Sequence, residues 1–161
     1  MPLPAVAVSQ TPEAKFREYL LSRTRPQRFT DQQREMVNYI FSRHSHFDAD
    51  DLLEAMKRDG IRVSRATAYR TLAKLVDAGL LRRLELGPKT HFEHDYGYPQ
   101  HDHLVCEKCN SIIEFEAPEI ESRLREVCSQ NLFQMRGHTL LVRGVCANCN
   151  RSRGHRRLDL I

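Results

Sequence analysis

Apolar residues recur along the first half of the chain with the period of amphipathic helices. Phe16, Tyr19 and Leu20 share one side of a stretch from Pro12 to Ser22. Met36, Val37, Ile40 and Phe41 repeat the pattern behind Thr30 and Asp31, either of which can cap a helix. Asp48 opens a third helix carrying Leu52, Leu53 and Met56, with a stop near Gly60. Ser64 opens a fourth that runs to Ala78, with Gly79 as its stop. On that fourth helix Ala68, Leu72, Leu75 and Val76 form one apolar stripe. Ala66, Thr67, Arg70 and Lys74 fall on the opposite side, with Tyr69 at the flank. The period then switches to two: residues 80–86 and 90–93 alternate around Gly87-Pro88-Lys89, which predicts a hairpin. Helices followed by a small hairpin predict a winged helix, a variant of the helix-turn-helix. A face of small and basic residues suits a nucleic-acid groove, although an ordinary solvated helix face reads the same way.

Asp95 to Gln100, with Gly97 and Pro99, reads as a linker. Beyond it, Leu104-Val105-Cys106 and residues 112–115 read as strands, Pro118 to Asn131 as a helix, and Thr139 to Val145 as a third strand. Ile120, Leu124, Val127 and Cys128 repeat at helical spacing, so that helix is expected to cross on the short sheet with Cys128 in the core. The fold class is therefore α+β. Residues 1–94 make the winged-helix domain, with 1–11 a flexible lead, and 95–100 the hinge. Residues 101–150 make a small metal-binding α/β domain, and 151–161 a basic, mobile tail.

Composition narrows the compartment. In 161 residues, 40% apolar content supports a core and 29% charge supports solubility. The N-terminus lacks the basic start and apolar run of a signal peptide, and no stretch approaches the roughly 18 apolar residues of a membrane span. A cytoplasmic protein without membrane partners is expected, so paired cysteines read as metal ligands rather than disulfides. The net charge of +4 hides an asymmetry: residues 1–92 carry 16 basic against 11 acidic side chains, and residues 93–150 carry 5 against 9. A basic first half joined to an acidic, ligand-rich second half suggests a polyanion-binding module beside a metal-binding one.

Two ligand clusters stand out. Cys106-x-x-Cys109 and Cys146-x-x-Cys149 can close a tetrahedral four-thiolate site, which is structural because no position stays open. Beside the first knuckle, His101 and His103 lie two apart, so on a strand they share a face while Asp102 takes the other. Glu93, Glu114 and Glu121 are near in sequence, which is too much ligand chemistry for one ion.

The run from Arg65 to Leu72, the run His101-Asp102-His103-Leu104-Val105-Cys106-Glu107-Lys108-Cys109, the triplet Ile113-Glu114-Phe115 and the late Cys-x-x-Cys together resemble the ferric uptake regulator family of metal-dependent transcriptional repressors. The resemblance covers most of residues 25–150 in the family's order. It implies an N-terminal winged-helix DNA-binding domain, a C-terminal dimerisation domain, and a homodimer on double-stranded palindromic operators, with no small-molecule substrate. It assigns structural Zn(II) to Cys106, Cys109, Cys146 and Cys149. It assigns the sensing site to His46, Glu93, His101, His103 and Glu114, and an additional site to Asp102, Glu121 and His138. In the additional site the family often adds a histidine where this chain has Gln100. Tyr69 and Arg70 match DNA-contacting positions. The stretch from Glu93 to His101 is one residue longer than the family pattern, which leaves His94 or His91 as substitutes for Glu93.

A sensing set of His and Glu without cysteine suits Fe(II), Mn(II) or Co(II) better than tetrahedral Zn(II). Zinc-responsive relatives often place a cysteine in the sensing loop, and peroxide sensors carry aspartates at the positions of Glu93 and Glu114. The expected activity is repression with Fe(II) as corepressor, controlling iron-uptake genes. The other readings are a zinc-, manganese- or peroxide-responsive member, a metal-dependent hydrolase, or a zinc-ribbon adaptor.

Overall fold

A computed structural model describes residues 7–43, 45–85 and 89–155, and the chain divides into two compact units at Pro99 and Gln100. The N-terminal unit begins with α1 (Pro12–Ser22) and α2 (Asp31–Phe41). Thr30, not Asp31, caps α2: its hydroxyl accepts the Gln33 N–H while the Gln33 side chain accepts the Thr30 N–H, closing a capping box. Next come β1 (Phe47–Asp48) and α3 (Ala49–Arg58). Asp48 caps α3 through the N–H groups of Asp50 and Asp51, at 2.9 and 2.8 Å. Ser64 caps α4 (Arg65–Asp77), and the Thr67 N–H donates to its hydroxyl.

Helix α4 ends at Gly79, whose φ of +65° is the left-handed value a glycine adopts without a Cβ penalty. The Leu80 N–H then reaches back to the Leu75 carbonyl, so the chain leaves the helix directly into the hairpin. Strands β2 (Leu81–Glu85) and β3 (Thr90–His94) form that hairpin, and β1 adds to its far side in the order β1-β3-β2. The turn expected at Gly87-Pro88 lies outside the described residues. The β1 pairing was not expected, because two residues are too few to show an alternating pattern.

The helical stripes meet in one core of Phe16, Leu20, Met36, Ile40, Met56, Leu72, Leu75 and their neighbours. The linker is tied to this same unit. The Asp95 and Tyr96 N–H groups donate to the Leu80 carbonyl, the Tyr96 hydroxyl to the Gln10 carbonyl, and the Tyr98 ring stacks on His94.

The C-terminal unit contains β4 (Asp102–Cys106), β5 (Ile112–Phe115), α5 (Pro118–Gln130), β6 (Leu141–Gly144) and α6 (Ala147–His155). The sheet order is β5-β4-β6, antiparallel for β4–β5 and parallel for β4–β6. Two expectations are corrected here. Helix α5 buries no residue: Ile120 and Val127 are exposed and Cys128 is only half-buried, so the apolar stripe finds no core within this unit. The expected mobile tail is helical to His155, because the second knuckle starts the helix, with Asn150 N–H donating to the Cys146 carbonyl. Residues 156–161 lie outside the described residues.

Alternation leaves a second unpartnered surface. Leu104 pairs with Ile113 on one side and Val142 on the other, and all three are exposed, forming an apolar row across the sheet. Two residues beyond α5, Leu132 takes φ +54°, a left-handed position that costs a non-glycine residue about 1–2 kcal/mol.

Candidate metal centres and nucleic-acid interface

The parallel pairing of β4 with β6 explains the cysteine cluster. Cys106 stands opposite Gly144, so both strands finish at the same edge and both knuckles emerge there. The ligand atoms of Cys106, Cys109, Cys146 and Cys149 lie within 4.8 Å of one another. Cys109 Sγ and Cys146 Sγ are 3.7 Å apart, matching the edge of about 3.8 Å implied by Zn–S bonds of about 2.3 Å in a tetrahedron. All four thiols are free rather than disulfide-bonded. Their ionisation is split. The N–H groups of Cys146, Cys109 and Lys108 pull the Cys106 thiol down to about 6. Hydrogen bonds from the Cys149 thiol to the Cys109 and Cys146 sulfurs push it up to about 12. Four sulfurs this close cannot all become thiolates without a cation among them, and the donor set fits Zn(II).

The histidine and carboxylate ligands fall into pairs within each unit. In the N-terminal unit, His46 Nε2 lies 2.8 Å from Glu93 Oε2, and Glu93 is buried beside β2. In the C-terminal unit His101 and His103 are both buried, with ring centroids 4.9 Å apart and nitrogens within 4.8 Å. Glu114 is the β5 register partner of His103. Neither substitute for Glu93 is placed like a ligand: His94 turns into its own unit, its Nε2 3.1 Å from the Ile40 carbonyl, and His91 Nδ1 is 3.2 Å from the Lys89 carbonyl.

Asp102 and His138 also meet, at 3.2 Å between Oδ2 and Nε2, while Asp102 Oδ1 accepts the Leu140 N–H. Glu121 is held by Arg125 on α5, and among the described residues it does not join them in a three-donor cluster. Gln100 contributes its side-chain amide to the His138 carbonyl.

On α4, Ala68, Thr71, Leu72 and Leu75 are buried, leaving Ala66, Tyr69 and Arg70 exposed on the other side. Thr67 is half-buried and drawn into the Ser64 cap. Burial, then the nearby Arg23 and Arg70, hold the Lys74 ammonium below its ordinary value, so cations concentrate on this face.

The family model described as "Ferric uptake regulator family" matches residues 25–143. This chain belongs to the ferric uptake regulator family. It is 36% identical over 114 residues to the ferric uptake regulation protein of Neisseria gonorrhoeae, covering 68% of this chain and 78% of the relative. It is 30% identical over 122 residues to the peroxide-responsive repressor PerR of Staphylococcus aureus, covering 76% of this chain and 82% of that one. Its fold matches the ferric uptake regulator of Francisella tularensis solved with iron, with a TM-score of 0.69 at 28% identity over 80% of this chain and 98% of that one. As a ferric uptake regulator family member it is a metal-responsive transcriptional regulator, with a structural zinc cage and a separate His/Glu regulatory metal. Family members are DNA-binding dimers, not enzymes. No helix among the described residues is long and apolar enough to cross a membrane.

One contact of a candidate ligand was missed by the sequence reading. Arg82 sits against Glu93, and only the β2–β3 register, which places Arg82 opposite Glu93, reveals it.

Proposed function

We propose that the chain is a cytoplasmic repressor that binds palindromic operators as a homodimer when Fe(II) occupies a site of His46, Glu93, His101, His103 and Glu114. The observation that carries this reading is the donor chemistry: one unit presents the half-buried His46 beside the buried Glu93, the other presents the buried histidine pair His101–His103, and neither set contains a cysteine. Such donors favour Fe(II), Mn(II) or Co(II). When bound, the dication supplies the charge that lets these donors converge. His46 and Glu93 belong to the winged-helix unit and His101, His103 and Glu114 to the other, so full ligation selects one placement of the recognition helices. By linkage, operator DNA tightens the metal by the same factor.

Arg70 and Tyr69 read the groove, with Ala66 and Thr67 permitting close approach and Lys74 beside a phosphate. The exposed α5 stripe and the Leu104–Ile113–Val142 row are the surfaces a second copy covers.

The test replaces His101 and His103 together with Ala and measures operator affinity against Mn(II) or Fe(II) concentration. The expected result is full zinc content, an intact dimer and no metal-dependent gain in DNA binding. A mutant that keeps the metal response moves the sensing site elsewhere, first to Asp102, Glu121 and His138. Loss of zinc or of the fold shows that the two clusters are not separate.

A further inference from the structure

Glu93 is only 3% exposed, and both of its carboxylate oxygens are engaged inside the N-terminal unit. His46 Nε2 lies 2.8 Å from Oε2, and the Arg82 Nε–H donates to Oε1. The second contact is built into the ladder, because Arg82 and Glu93 are register partners across β2 and β3. The Arg82 side chain is itself one-fifth exposed, so its charge is poorly screened. Unlike histidine, a guanidinium keeps its proton throughout the physiological range.

We propose that Arg82 is a resident counter-ion of the regulatory metal centre: it holds Glu93 through Oε1, leaves Oε2 to face the metal together with His46, and weakens metal binding so that the regulator responds only at higher metal activity. This rests on the assignment of His46 and Glu93 as regulatory ligands. Two opposing effects decide the sign. Arg82 positions the carboxylate, and outer partners that only position a ligand cost about 10–100-fold in affinity when removed. Arg82 also places a fixed positive charge on the same carboxylate the dication must share. At the short range set by one carboxylate, in a partly buried site, that repulsion outweighs the loss of orientation. The metal therefore meets a glutamate whose charge is already balanced, and the affinity threshold is set by an arginine that is not a ligand.

The experiment uses the full-length zinc-loaded protein and Mn(II) as the probe, with free Mn(II) read by electron paramagnetic resonance. Arg82→Gln keeps an N–H donor for Glu93 but removes the charge, and it is expected to tighten Mn(II) binding about ten-fold. Arg82→Lys keeps the charge and stays within about three-fold of the parent protein. Arg82→Met is a second neutral replacement, so the sign is read from whichever neutral variant retains full zinc and a cooperative thermal transition. His46→Ala weakens binding in the same assay. If the neutral variants bind Mn(II) as weakly as the parent or more weakly while His46→Ala loses it, Arg82 is only a positioning residue and the proposal is overturned alone. If His46→Ala leaves Mn(II) binding unchanged, the ligand assignment fails, and the proposal fails with it.

Discussion

The two units of this chain solve the same problem by different physics. Among the described residues, 16 buried apolar side chains belong to the N-terminal unit, against only Val105 and Cys106 in the C-terminal one. Four helix stripes, the hairpin and capping groups at each helix start give the winged helix a core of its own. The C-terminal unit instead has a three-stranded sheet with an open apolar row, a helix with no buried residue, and four thiols converging at one edge. A small sheet without a core needs a staple; here the four-thiol zinc cage is one, and in the proposed homodimer a second copy of the chain is the other. In the proposed function the hydrophobic unit is the one that meets DNA. The C-terminal unit carries the four-thiol cage and the apolar surfaces proposed for a second copy.

The sharpest way to break this contrast is to remove the staple. Cys106→Ser should release the zinc and dissociate the dimer, since a structural zinc site carries about 10–16 kcal/mol of apparent binding energy that is also folding energy. The winged-helix unit should keep its own unfolding transition. Metal analysis, sedimentation and calorimetry together check this, and a zinc-loaded folded dimer contradicts the division. A smaller effect is expected from Leu72→Ala, which empties a fully buried position of the N-terminal core. It should cost about 2–5 kcal/mol in denaturant unfolding of that unit and leave zinc content unchanged. If zinc is lost as well, the units do not fold independently. Thr30→Ala removes only the capping box of α2 and should cost about 1 kcal/mol in the same transition. No measurable change would mean that core packing alone holds that helix.

Much of the N-terminal unit was legible because its apolar residues obey one period at a time and polar caps mark each start. The stripe on α4, the Ser64 cap and the Gly79 stop could all be read directly. The same logic misled for α5, where Ile120, Leu124 and Val127 repeat as regularly but none is buried in their own unit. Periodicity reports that a face is apolar, not what covers it. The strand β1 and the helix α6 were missed for the opposite reason, since neither carries an apolar rhythm of its own.

By itself the sequence determined which residue types are available at which spacing: two thiol knuckles, a histidine pair on one strand face, and a basic helix face behind an apolar stripe. Those are local properties, set by covalent spacing and by the periods of helix and strand. Tertiary structure alone decided which distant groups meet. The parallel register of β4 with β6 joins the knuckles, and the loop before β1 brings His46 to Glu93. The β2–β3 register sets Arg82 against the same carboxylate. Strand register is a long-range property, chosen by how whole faces pack rather than by neighbours along the chain, so no local pattern reveals it.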